Sequence, residues 1–171
     1  DFFMPRRLLN LGWAVGIGEG VHIGDVVIAT AFVDYDFDTS ALDQWPAGQL
    51  TLPGQEGPVR FLPCEEGLAK ALAAAGEDLY GRAHLGVVAT GDKFVADPAV
   101  GEWLQKEFGA LACEMEGGAI AHACLVNQVP CAVLRTISDN AHDSETVDFV
   151  TFAQGSAQKA QELLRKVLPR L

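Results

Sequence analysis

Two stretches of this 171-residue chain concentrate groups able to move protons or hold a polar ligand. Arg135-Thr136-Ile137-Ser138-Asp139 closes an apolar run. With period two, Arg135, Ile137 and Asp139 share one strand face, so guanidinium and carboxyl project together near the strand end. A carboxyl group there, hydrogen-bonded by neighbouring Ser138, can hold or donate a proton. The same aspartate would equally serve as the N-cap of a following helix. Glu114-Met115-Glu116 occupies a strand-to-helix junction. A helix N-terminus keeps carboxylates ionised, and an ionised carboxylate accepts two hydrogen bonds from a diol such as ribose. Plain helix-start chemistry would account for the pair as well. Phe94, after Gly91-Asp92-Lys93, is either a core residue or a platform for stacking a base. His22, His84, His122 and His142 are scattered without ligand spacing, as are the cysteines, so no metal site is expected.

The elements that must hold these groups alternate between strand and helix. Asp25 to Val33 is a β-branched apolar run behind a Gly-Asp turn and reads as a buried strand. Asp34 to Pro58 is a long polar excursion rich in Gly and Pro, of the kind that is functional or covers a partner surface. Glu65 to Ala75 predicts a helix ending at Gly76. His84 to Thr90 predicts a second strand, and Asp97-Pro98 a helix start with Asp as cap and Pro in the first turn. Leu111-Ala112-Cys113 is a short strand leading into a helix through about Asn127, and Pro130 to Ile137 a third apolar strand. In the last helix Ala157, Ala160, Leu164 and Val167 form one apolar stripe, widened by Leu163 and Leu168. Such alternation predicts a single α/β domain over residues 1–171, a mixed central sheet flanked by helices. Ligands in such sheets bind beyond the carboxyl ends of the strands. Asp92, Glu114/Glu116 and Ser138/Asp139 all fall at those ends.

Composition narrows the partners. Twelve basic and twenty-three acidic side chains give a formal charge of −11, which argues against a nucleic-acid backbone or an anionic membrane. With 49% hydrophobic and 20% charged residues the chain can build one sizeable core. Cys113, Cys124 and Cys131 lie in apolar surroundings and read as small buried hydrophobes of a reducing compartment. No apolar run approaches a membrane span. Met4-Pro5-Arg6-Arg7 before Leu8-Leu9-Asn10-Leu11 makes only a weak leader, short and without a small-x-small cleavage site. A cytoplasmic location is expected.

Three segments together resemble the 5′-methylthioadenosine/S-adenosylhomocysteine nucleosidases of the purine nucleoside phosphorylase superfamily. They are Thr90-Gly91-Asp92-Lys93-Phe94-Val95, the run from Cys113-Glu114-Met115-Glu116-Gly117-Gly118 to His122, and Leu134-Arg135-Thr136-Ile137-Ser138-Asp139. Gly24-Asp25-Val26-Val27 and Asp36-Phe37-Asp38 resemble the family's earlier strand and loop, and the likeness covers residues 8 to 168. It implies a nucleoside phosphorylase-like fold and hydrolysis of an N-glycosidic bond, releasing adenine and a thioribose without a cofactor. Asp139 would protonate adenine N7, oriented by Ser138, and Arg135 would help hold the attacking water. Glu116 would grip the ribose hydroxyls, with Met115 under the sugar. Phe94 would stack on adenine and the main chain of Val95 would read its Watson–Crick edge. Cys113 and Glu114 would line the pocket and Phe149 would close it. The loop from Asp36 to Leu42 would reach a partner's site, implying a homodimer.

Two departures accompany the resemblance. The family begins with a further strand, helix and strands that carry the general-base glutamate, and no residue of this chain matches it; an N-terminally truncated sheet with an open edge is the expectation. Where the family's glycine turn has a small residue, this chain reads Gly12-Trp13-Ala14-Val15-Gly16. The rival readings are a purine nucleoside phosphorylase or futalosine hydrolase of the same superfamily, and a non-catalytic nucleoside-binding dimer. Trp13 provides none of the cationic donors that a phosphate site needs.

Overall fold

β-Branched and small apolar residues dominate the segments that pair, while Ala/Leu-rich and Gly-started segments coil between them. The computed structural model describes residues 5–140 and 149–170. Its elements are β1 (Leu8–Gly16), β2 (Val26–Asp34), α1 (Ser40–Asp43), β3 (Leu50–Thr51), β4 (Pro58–Val59), β5 (Leu62–Pro63), α2 (Glu66–Tyr80), β6 (Ala83–Thr90), α3 (Pro98–Phe108), β7 (Ala110–Glu114), α4 (Gly117–Val126), β8 (Cys131–Asn140) and α5 (Phe149–Val167). This is the mixed α/β architecture expected, with helices around a central sheet.

The strands run in the order β5-β2-β6-β7-β1-β8, and β8 also pairs with β2 through Val26↔Thr136 and Ile28↔Leu134. The five strands β2, β6, β7, β1 and β8 therefore close into a ring. An open edge was expected; instead β8 is hydrogen-bonded to β1 along one side and to β2 along the other. Three apolar clusters pack on the strands of the ring. One packs Phe32, Val88, Ala112 and Ile137 against Ala121 and Cys124 of α4. A second packs Val33, Ala89 and Cys113 against Leu104 and Phe108 of α3. The third sets Ile28 and Leu134 against Leu68 and Leu72 of α2 and Leu163 and Val167 of α5.

Several sequence expectations shift. The first strand, Leu8–Gly16, takes in both the weak leader's Leu8 to Leu11 and the stretch read as a glycine turn. Its neighbour accounts for a small residue there: a Cβ on Gly12 would lie 3.1 Å from Arg135 Nη1, tight against the guanidinium alongside. Helix α2 continues past Gly76, which is buried against β2, and ends at Gly81 with φ 82°. A left-handed cap needs that glycine; an interior one need only be small. The buried stripe of α5 is Ser156, Leu163 and Val167, so Ala157 and Leu164 sit to its sides and Leu168 is exposed. Asp97 caps α3 as expected, its carboxylate accepting from Ala99 N at 2.9 Å.

Candidate active site

Helix α4 starts in a crowded place. A Cβ on Gly118 would lie 2.2 Å from Asp34 Oδ1 and 2.8 Å from Thr90 Cβ, so the helix can approach the ends of β2 and β6 only as Gly-Gly. That approach brings its free N–H groups over the end of β7, where Glu114 waits. Glu114 Oε2 accepts from Gly117 N at 2.7 Å and from Glu116 N at 3.1 Å. The same oxygen accepts from Arg135 Nε at 3.0 Å and Nη2 at 2.6 Å. Thr90 Oγ1 donates to Glu114 Oε1 and accepts from Gly118 N at 2.8 Å. Arg135 Nη1 donates to Asn10 Oδ1 at 2.6 Å. Both charged side chains are 1% exposed. A helix N-terminus is an anion site, and here the protein's own carboxylate fills it.

Above this knot lies a cavity of about 370 Å³, lined by residues of β1, β7 and β8 and by the loops after β6 and β7. Its walls include Trp13, Phe94, Val95, Cys113, Met115, Glu116, Ser138 and Asp139. Phe94 is 66% exposed, which rules out its core reading, and Met115 (43%) and Trp13 (39%) also show apolar surface. Val95 is buried in the α3 cluster. Burial pushes the Cys113 thiol up to about 12, so it stays a neutral S–H. Glu116 stands at the N-cap position of α4 and makes no cap hydrogen bond, leaving its exposed carboxylate to the cavity.

The two exposed carboxylates of this space come from different elements, Glu116 from the start of α4 and Asp139 from β8. Asp139 does not precede a helix directly; it lies within β8, paired with Val15. The register slips by one residue between Ala14↔Ile137 and Val15↔Asp139, so Ser138 is the extra residue of a bulge. Alternation breaks there, and the expectation that Arg135 and Asp139 share a face does not carry through it. Ser138 and Asp139 both line the cavity, while Arg135 lies beneath it, behind Glu114. Ser138 Oγ donates to Asp139 Oδ2 at 2.7 Å.

Asp92 stays outside the lining; its N–H donates to Asp36 Oδ2 at 2.8 Å, tying the loop that carries Phe94 to the end of β2. Phe149 heads α5, and its side chain lies outside the described residues. His142 lies outside them too. Among the described residues no group of three or more His, Cys, Asp or Glu is placed to hold a metal ion, and no helix is long and apolar enough to cross a membrane. Sequence reasoning missed Thr90 and Asn10, the polar partners of the knot. The one available signal was a hydroxyl and an amide within otherwise apolar strands.

Known proteins share sequence and fold with this chain. The sequence profile of the phosphorylase superfamily matches residues 2–169. Over 169 residues the chain is 33% identical to the aminodeoxyfutalosine nucleosidase of Campylobacter jejuni, covering 99% of this chain and 71% of that one. Over 151 residues it is 36% identical to the 5′-methylthioadenosine/S-adenosylhomocysteine nucleosidase of Shewanella piezotolerans, covering 86% of this chain and 62% of that one. The crystal structure of the Campylobacter jejuni 5′-methylthioadenosine/S-adenosylhomocysteine nucleosidase superposes with a TM-score of 0.86 at 33% identity, over 97% of this chain and 70% of that chain. A futalosine hydrolase of Helicobacter pylori does so at 0.82, over 97% and 69%. The chain thus spans between 62% and 71% of the length of these relatives. Likeness of sequence along nearly the whole chain, on the same closed sheet, has one reading: this chain belongs to the phosphorylase superfamily.

Proposed function

We propose that the chain carries the base and sugar sites of an N-ribosyl hydrolase acting on 5′-thioadenosine nucleosides such as 5′-methylthioadenosine and S-adenosylhomocysteine. One observation carries this reading. Two carboxylates from separate elements, Glu116 at the start of α4 and Asp139 in β8, face one cavity walled by exposed Phe94 and Met115. Cleavage of a glycosidic bond builds positive charge on the sugar and negative charge on the departing base. A carboxylate beside the sugar stabilises the first, and a carboxylic acid at purine N7 removes the second. Asp139, held by Ser138 Oγ, takes the acid's role, and Glu116 grips the ribose hydroxyls. Phe94 stacks on adenine, and the Val95 main chain reads the base edge. Arg135 acts from below by fixing Glu114, so its hold on water would be indirect.

Similarity to the Campylobacter jejuni and Helicobacter pylori proteins supports a second substrate for the same chemistry, a nucleoside of the futalosine class. A homodimer in the cytoplasm completes the reading. Leu42, 88% exposed in α1, and the half-exposed Phe37 offer the excursion after β2 as contact surface. Sedimentation velocity tests that contact. The activity is tested by incubating protein with methylthioadenosine, with and without phosphate, and separating the products. Free adenine at a rate independent of phosphate is expected. A ribose phosphate would make the chain a phosphorylase, and intact nucleoside with retained binding would make it a binding protein.

A further inference from the structure

At the opposite end of β8 from Asp139, three cysteines that are far apart in sequence meet. Cys64 follows β5, Cys124 is in the last turn of α4, and Cys131 opens β8. All three line one cavity of about 370 Å³, together with Gln55, Glu65 and Pro130. The backbones touch: Glu65 N donates to Cys131 O at 2.8 Å, and Cys64 N to Thr30 O at 2.9 Å. Cys64 is thus the chain neighbour of the residue bonded to Cys131, and the Cys64 and Cys131 thiols are themselves in hydrogen-bond contact. All four cysteines of the chain are free thiols, and Cys64 is the more exposed member of the cluster.

We propose that this cluster is a thiol-modification site, at which Cys131 reacts with small-molecule disulfides and Cys64 closes an internal disulfide. The Cys131 thiolate attacks one sulfur of the small disulfide, whose S–S bond breaks, and one small thiolate leaves with the bonding pair. Cys64, its proton given to water, then attacks Cys131 Sγ and expels the second small thiolate. Two protein thiols are oxidised to one disulfide, and the small disulfide is reduced to two thiols. The local electrostatics favour this order. Hydrogen bonds from Cys64, then Cys124, draw the Cys131 thiol down against the opposing effect of burial. The Cys64 thiol is raised by its hydrogen bond to Cys131, and burial raises Cys124. The neighbouring Glu65 carboxylate is taken up by Gly67 N and Leu68 N at the start of α2, so it does not oppose the thiolate by a free charge.

The test exposes reduced protein to oxidised glutathione, quenches with an alkylating agent and maps the peptides by mass. The expected result is loss of two hydrogens from the intact mass and a single linked peptide pair, Cys64 with Cys131, reversed by reductant. Cys64→Ser should stop at a stable glutathione adduct on Cys131, and Cys131→Ser should give neither adduct nor link. Cys124→Ser should keep the link, and a melting curve on each variant guards against loss of fold. Four alkylatable thiols after prolonged exposure, or an unchanged modification rate in Cys131→Ser, would overturn the proposal.

Discussion

Glu114 and Glu116 are two residues apart and meet opposite fates. Glu114 lines the cavity floor but is buried, with Arg135, Thr90 and the first N–H groups of α4 around it, and every one of those bonds is internal. Glu116, one turn of chain higher, has no cap bond and looks into open space. A buried carboxylate must be satisfied by the fold or neutralised, whereas one at a cavity rim can keep its lone pairs for a ligand. The lower layer is architecture and the upper layer is where the proposed chemistry sits, although both are written with the same residue type. Asp139 belongs to the upper layer, and Arg135, three positions before the bulge, to the lower.

Substitutions can break or sharpen that division. The largest effect is expected at Asp139. In protein that turns over methylthioadenosine, Asp139→Asn should lower kcat by about 10²–10⁴, the worth of general acid catalysis, with little change in nucleoside binding. Near-parental turnover would remove Asp139 from the upper layer. Next comes Glu114→Gln, which strands the Arg135 guanidinium. Denaturant unfolding should register a loss of about 3–5 kcal/mol, the usual cost of breaking a buried pair. If stability held and only nucleoside affinity fell, Glu114 would be a ligand group instead.

Phe94→Ala should weaken adenine binding, measured by calorimetry, by about 1–3 kcal/mol while leaving the melting temperature close to the parent's. The reverse pattern would return Phe94 to the core. Glu116→Gln should weaken nucleoside binding several-fold while free adenine, which lacks the diol, binds as before; equal losses would assign Glu116 to the fold. The smallest effect concerns Asp34, whose carboxyl is raised above its ordinary 3.8, chiefly by burial and against the pull of His122. The folded state then holds this proton more tightly than the unfolded chain. Stability from this group is present at low pH and is lost as pH rises from 3.8 through the raised value. Asp34→Asn should flatten the stability–pH curve in that window, and an unchanged curve would show that Asp34 is no part of it.

Much of the upper layer was legible because its signals are local. Phe94 follows a Gly-Asp turn, Glu116 precedes Gly-Gly, and Asp139 ends a β-branched run, so type and position could be read together. The lower layer was less so. That Asp139 parts from the face of Arg135 depends on a bulge at Ser138 between them, which strict alternation does not reveal. Gly12 looked like a turn glycine, since nothing in its neighbourhood announces a guanidinium on the adjoining strand. Gly76 looked like a helix stop for a similar reason, its packing partner being Val26 of β2.

Local patterning alone determined that the chain alternates strands with helices, where most of them lie, and which polar residues stand at strand ends. Those are consequences of backbone propensity and of the two periodicities, which act over a few residues. Tertiary structure decided that β8 joins β1 to β2 and closes the sheet, that one carboxylate of the Glu114/Glu116 pair is internal, and that Cys64, Cys124 and Cys131 share a cavity. Each of these depends on a contact between residues far apart along the chain. Such a contact is set by which surfaces bury best against one another, and no short stretch of sequence carries that information.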